Sequence, residues 1–224
     1  MTKLHVLKVF VGEDGRGGNP LGVFLDAGAW DAEKRQRIAT ELGFSETVFV
    51  QDADRAEVRI HTPAVELPLA GHPLVGTSWL LRREGLDVPV LRPAAGEVPT
   101  WVDGDDTWIS ARPEWAPEFD MRQLPSPADV DAHPGAGPDE HLHVWSWEDE
   151  SAGAVRVRVF PTRMGIAEDE ATGAAAIRFG ALVQRPVTIH QGVASRIVVQ
   201  PGDDGTVAIG GQVEYVESRE HFDA

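Results

Sequence analysis

Three residues in this chain carry groups suited to moving a proton: Glu46, His72 and Asp169. Two carboxyls and an imidazole can take a proton from one carbon and return it to another, provided they converge on one substrate. Taken singly, each has an ordinary structural use. Glu46 lies between Ser45 and Thr47 at the head of a strand pattern, where alternation reads it as a solvent-facing strand glutamate. His72 flanks a helix start, where a capping or core histidine is common. Asp169 is the middle of Glu168-Asp169-Glu170, just before a second helix start, where the helix dipole favours acids without any catalysis. What lifts the three together is chemical convergence: acid/base groups with an anion cradle on each side suit proton abstraction next to a carboxylate.

Other chemistries are weaker. His141 and His143 fall on one face of a strand with Glu148 nearby, but Trp145 and Trp147 continue the same alternation and no further ligand is at hand, so no metal site is expected. The loop GEDGRGGNP, residues 12–20, lacks the Gly-Lys-Ser/Thr ending of a phosphate loop and leads into a strand, and no Gly-x-Ser-x-Gly elbow is present. The absence of cysteine removes disulfides, thiolate metal sites and thiol catalysis at once.

Two stretches must position the acid/base groups. Residues 59–81, RIHTPAVELPLAGHPLVGTSWLL, read as a strand end, a loop kept out of helix by Pro63 and Pro68, a turn at Gly71, and an apolar helix with Pro73 in its first turn. Residues 158–183 repeat the pattern with other letters: a strand ending at Pro161, a longer polar loop, and a Thr172-Gly173 turn opening an alanine-rich helix. Each helix start offers unpaired backbone N–H groups and a positive dipole end, a place for an anion. Two such starts predict two similar halves facing one cleft.

Around them the patterns predict strands over residues 4–11, 21–25, 44–51, 57–61, 97–102, 107–111, 141–147, 155–160, 189–200 and 206–216. A helix follows an N-cap at Asp31 and closes at Gly43. The proline-rich, acidic residues 113–138 have no sustained period and are expected to be the least structured part, with a domain boundary at their start: residues 1–114 and 115–224, the last strands returning to the first half. The formal net charge of −16 argues against nucleic acid or an anionic membrane as partner, and no apolar run is long enough to span a bilayer. The first residues, MTKLHVLKVF, read as a strand and not as a secretory leader; with the lack of cysteine this fits a cytoplasmic protein.

Four motifs in order, GGNP (17–20), FSET (44–47), ELPLAGHP (66–73) and GIAEDEATGAA (165–175), resemble the PhzF-like family of phenazine-biosynthesis isomerases. The resemblance extends to residues 192–211 and leaves out roughly residues 115–154. It implies an α+β fold of the diaminopimelate epimerase type, two similar domains each wrapping sheet around a central helix with the active site between them. It also implies a cofactor-independent and metal-free isomerase of a small carboxylate, cyclic or not, acting in biosynthesis as a homodimer. Glu46 is then the proton-transferring group, with His72 and Asp169 completing the relay; Asn19, Ser45, Gly71, Thr172, Gly173 and Ala174 bind the substrate, backbone N–H groups of the two turns holding its carboxylate. Two letters depart from the family pattern EDPATGSA: Glu170 stands for proline and Ala174 for serine. Two rival readings are an amino-acid racemase or epimerase using Glu46 and Asp169 as opposed bases, and a non-catalytic binding protein on the same fold.

Overall fold

The computed structural model describes residues 2–221. In chain order the elements are β1 (Thr2–Val11), β2 (Gly17–Phe24), α1 (Ala32–Leu42), β3 (Glu46–Asp52), β4 (Glu57–His61), β5 (Glu66–Leu67), α2 (Gly71–Arg83), β6 (Val90–Leu91), β7 (Val98–Asp103), β8 (Asp106–Ala111), β9 (Asp120–Gln123), α3 (Pro127–Asp131), β10 (His141–Asp149), β11 (Ala154–Pro161), α4 (Gly173–Val183), β12 (Val187–Gln191), β13 (Ser195–Pro201) and β14 (Val207–His221). Single 3-10 turns cover Pro113–Trp115 and Thr162–Met164.

The strands form one continuous hydrogen-bonded path, β5-β4-β3-β2-β1-β14-β13-β12-β11-β10-β9, with β8 joining β14 and leading on to β7 and β6. β14 holds the path together. Its first residues pair with β8 and β13, and from Gln212 onward it pairs antiparallel with β1. Parallel pairing of β2 with β3 requires a crossover, which α1 supplies. Asp31 caps α1 by accepting from the Lys34 N–H at 2.8 Å, and Gly43 closes it with φ 67°, a left-handed turn that favours glycine.

α1 is amphipathic and covers a small cluster of Leu4, Val6, Phe24, Ile38 and Phe49. α2 differs: Gly71 to Ser78, Leu80 and Leu81 are all buried, as an apolar helix without a polar face must be. It lies against β1, β2, β3, β8 and β14, while α4 packs on β13 and β14. The two helices and the inner faces of these strands share one continuous core. Among the described residues no helix is long and apolar enough to cross a membrane.

The expected strands at 4–11, 57–61 and 107–111 and the three expected helices are present. Three expectations need correction. Gly17 to Pro20 belong to β2 and not to a preceding loop, because Asn19 and Pro20 pair in register with Val9 and Lys8. Residues 189–200 are two strands, β12 and β13, reversed by a turn at residues 192–194. Residues 113–138 carry a 3-10 turn, β9 and α3; β9 pairs parallel with β10, and α3 is capped by Ser126 and closes a cluster of Val130, Leu142, Val144 and Phe160. These pieces are three to five residues long, too short for a period to register in sequence.

Candidate active site

The βαβ crossover places Glu46 at the first position of β3, beside Leu21 of β2. β3 is buried on both faces over its first five residues, so Glu46 is not the solvent-facing glutamate that alternation predicts. Its Oε2 lies 3.4 Å from Nε2 of His72 in the first turn of α2, and neither atom has a hydrogen-bond partner among the described residues. Asp169 sits where the chain leaves β11, its N–H donating to the Val159 carbonyl at 3.0 Å. All three side chains are nine-tenths or more buried and line one cavity of about 250 Å³.

The helix starts meet at this cavity. A Cβ on Gly71 would lie 2.7 Å from the Gly173 Cα, and one on Gly173 would lie 2.7 Å from the Gly71 Cα and 2.8 Å from the His72 nitrogen. Only glycine on both sides permits that approach. Neither α2 nor α4 has a side-chain N-cap. The first-turn N–H groups of Gly71, His72, Gly173 and Ala174, which an α-helix cannot satisfy internally, are therefore available at the cavity wall.

Asp169 is held from two sides. Its Oδ1 accepts from Asn19 Nδ2 at 2.7 Å and its Oδ2 from the Thr172 hydroxyl at 2.7 Å. Asn19 also donates to the Ala171 carbonyl at 3.0 Å and accepts from the Ser45 hydroxyl at 3.1 Å. Thus Glu46, His72, Gly71, Asp169, Thr172, Gly173 and Ala174 meet at the cavity, whereas Asn19 and Ser45 stand behind it and brace the acids. The Thr172 N–H is taken by Gln191 Oε1 at 3.1 Å, so the open donors of the second turn begin at Gly173.

Burial, reinforced by the charge of Asp169, pushes the Glu46 carboxyl up to about 8. Burial also raises Asp169, to about 6, with Thr172 and Asn19 pulling it back down and the charge of Glu170 adding to the rise. Burial lowers His72 to about 3. Burial thus disfavours charge on all three groups, while the donors from Thr172 and Asn19 favour the carboxylate of Asp169, and the neutral imidazole of His72 makes its contact with Glu46 something other than an ion pair.

The remaining walls are apolar: Leu67, Leu69, Trp115, Phe119, Met164 and Ile166 among them, with no lysine or arginine among the described lining residues. Trp115 and Phe119 come from the segment expected to be least structured. Arg178 of α4 ties it down by donating to the Ala116 carbonyl at 2.6 Å and the Pro117 carbonyl at 3.3 Å. Gln191 also escaped the sequence reading, though it occupies the inward register of Val187 and Ile189, where a polar residue is a signal. The metal candidates disperse: His141 stacks on Phe119, His143 is buried against Phe179, and Glu148 pairs with His190.

Comparison with known proteins agrees with this architecture. Residues 7–141 match the PhzC-PhzF family, described as phenazine biosynthesis-like protein. A trans-2,3-dihydro-3-hydroxyanthranilate isomerase from Pseudomonas fluorescens is 32% identical over 232 residues, 79% of this chain and 81% of that protein. An uncharacterised isomerase from Mesorhizobium japonicum is 39% identical over 127 residues, 53% of this chain; this chain spans only 40% of that relative's length. The solved structure of a predicted epimerase from Pseudomonas aeruginosa superposes with a TM-score of 0.78 at 25% identity over the whole of both chains. The fold is α+β of the diaminopimelate epimerase-like type, as the motifs imply. The chain belongs to the PhzC-PhzF family of phenazine biosynthesis-like proteins.

Proposed function

We propose that the protein is an isomerase of a small carboxylate in which its own carboxyl groups supply acid and base. The observation that carries this reading is the pair Glu46 and Asp169 at the wall of one apolar cavity between two open helix starts, Asp169 held by donors on both oxygens and Glu46 Oε2 facing His72 with none. The first-turn N–H groups of α2 and α4 hold the substrate carboxylate, since among the described residues no cationic side chain lines the cavity to do so. Glu46 transfers the proton, standing ready as the acid. Asp169 is the carboxylate that accepts one, and neutral His72, 3.4 Å from Glu46, connects Glu46 to the relay. The apolar walls favour a substrate whose body beyond the carboxylate is largely hydrocarbon, open-chain or cyclic. The activity named for the Pseudomonas fluorescens relative, isomerisation of a cyclic carboxylate, is of this kind.

The test is solvent-deuterium incorporation in D2O with a panel of small carboxylates that includes trans-2,3-dihydro-3-hydroxyanthranilate. Deuterium appears at one carbon of the isomerised product, and Glu46→Gln lowers the rate by about 10²–10⁴-fold with an unchanged circular dichroism spectrum. Full activity in Glu46→Gln sinks the assignment. Wash-in at the α-carbon of both enantiomers of an amino acid reassigns the protein as a racemase, and tight carboxylate binding with no exchange reassigns it as a binding protein.

A further inference from the structure

We propose that Gln191, at the end of β12, is a positioning residue: it sets the direction of the Thr172 hydroxyl and so keeps Asp169 a hydrogen-bond acceptor on both oxygens. Its catalytic consequence rests on the isomerase reading; its structural content does not. Gln191 is 1% exposed, and among the described residues each of the three hydrogen bonds of its side chain goes to the 169–172 turn. Nε2 donates to the Asp169 carbonyl and to the Thr172 Oγ1, both at 2.8 Å, and Oε1 accepts from the Thr172 N–H at 3.1 Å. A carbonyl can only accept and a backbone N–H can only donate, so the amide can face the turn in one orientation alone.

Thr172 Oγ1 lies between Gln191 Nε2, which has only protons to give, and Asp169 Oδ2. Its single proton has one acceptor left, Asp169. On the other side Asn19 Nδ2 faces the Ala171 carbonyl as well as Asp169 Oδ1, which fixes that amide as a donor too. A proton placed on Oδ2 would strand the Thr172 hydrogen, and one placed on Oδ1 would meet the Asn19 amide. The titratable groups facing Asp169 are Glu46 on β3, His72 at the start of α2 and Glu170 on its own loop. The donors outweigh the repulsion of the acids and leave Asp169, not Glu46, as the resting carboxylate.

The experiment follows the Asp169 carboxyl carbon by ¹³C NMR through a pH titration of the full chain labelled at aspartate, the signal assigned with Asp169→Asn. Gln191→Glu keeps the size of the side chain but offers Thr172 an acceptor, and the Asp169 midpoint rises by about one pH unit, the worth of one charge-assisted hydrogen bond. In a Thr172→Val background the same change moves the midpoint by less than half as much, because no hydroxyl is left to redirect. Gln191→Met adds no charge and raises the midpoint as well. Equal shifts in the two Thr172 backgrounds reduce Gln191→Glu to a charge effect and overturn the proposal, as does an unchanged midpoint in a folded Gln191→Met chain. No substrate enters this measurement, so a protein that exchanges no carboxylate proton yet shows the coupling loses the isomerase reading and keeps the positioning role. Where turnover is present, Gln191→Met lowers kcat with little change in KM and moves the acid limb of the pH profile upward with the NMR midpoint.

Discussion

Glu46 ties the site to the stability of the whole chain through one proton. In the unfolded chain its carboxyl ionises with the ordinary value of 4.5, whereas in the folded protein burial holds it protonated up to about 8. The folded state therefore binds the extra proton, and its contribution is fully present below the unfolded value and is lost as pH rises through the folded one. Asp169 acts in the same sense over a lower window, from 3.8 to about 6. His72 acts oppositely: with its value lowered to about 3, its contribution is present above 6.5 and is lost as pH falls. His143, likewise lowered to about 3 by burial, acts with His72, so below pH 6.5 the two offset the acids. The expected outcome is that unfolding free energy from urea titrations declines by on the order of 2 kcal/mol between pH 6.5 and 9, and that Glu46→Gln flattens most of that slope. A slope unchanged in Glu46→Gln would mean that Glu46 ionises freely in the folded protein. Identity, but not environment, was legible here. Ser45-Glu46-Thr47 shows a carboxyl in a strand, and only the covering of β3 on both faces turns it from a surface residue into a buried acid.

Between elements, Glu170 fastens the loop that carries Asp169 to the β12–β13 turn. Its carboxylate accepts from the Val193 N–H at 3.0 Å, the Ala194 N–H at 3.4 Å and the Ser195 hydroxyl at 2.8 Å. Ser195 in turn accepts from the Gly18 N–H at 2.8 Å, one residue before the Asn19 that holds Asp169. The glutamate at this departure from the family pattern thus ties three elements around Asp169. Glu170→Ala leaves two turn N–H groups and a hydroxyl without their acceptor and is expected to cost about 1–3 kcal/mol in chemical denaturation, with Glu170→Gln costing less. Equal stability of Glu170→Ala and the parent would show that the turn needs no carboxylate. Sequence marks this loop only as acidic residues ahead of a helix, because the hairpin that Glu170 binds is folded from residues more than twenty positions later. Trp115 and Phe119 were hidden for a related reason. Their segment has no period of its own and takes its place from Arg178 of α4, a contact no local pattern announces.

Across the molecule, the feature most legible in sequence is the repeated helix start, and its structural meaning is the contact between Gly71 and Gly173. Both turns were visible as strand, proline, polar loop and glycine, so their convergence could be anticipated even though the sheet order through β14 could not. Gly173→Ala tests whether that contact sets the geometry. Alanine is the better helix former by up to about 1 kcal/mol, which alone would stabilise α4. Against this, the added methyl lies 2.7 Å from the Gly71 Cα and 2.8 Å from the His72 nitrogen, and both are backbone atoms of a helix buried on all sides. Neither can yield as a flexible side chain would, so one helix must shift, and overpacking of this kind costs about 1–3 kcal/mol. The steric term wins, and Gly173→Ala is expected to lower stability in thermal and urea unfolding. Moving the helix starts apart also spreads the N–H groups that face the cavity, so carboxylate binding or exchange falls further than the stability loss alone explains. Ala174→Ser is the matched control: it adds one oxygen at a residue lining the open cavity, next to the contact and not within it, and leaves stability nearly unchanged. If Gly173→Ala instead raises the melting temperature, helix propensity outweighs packing there, and the close approach of the two helix starts is not what fixes the site.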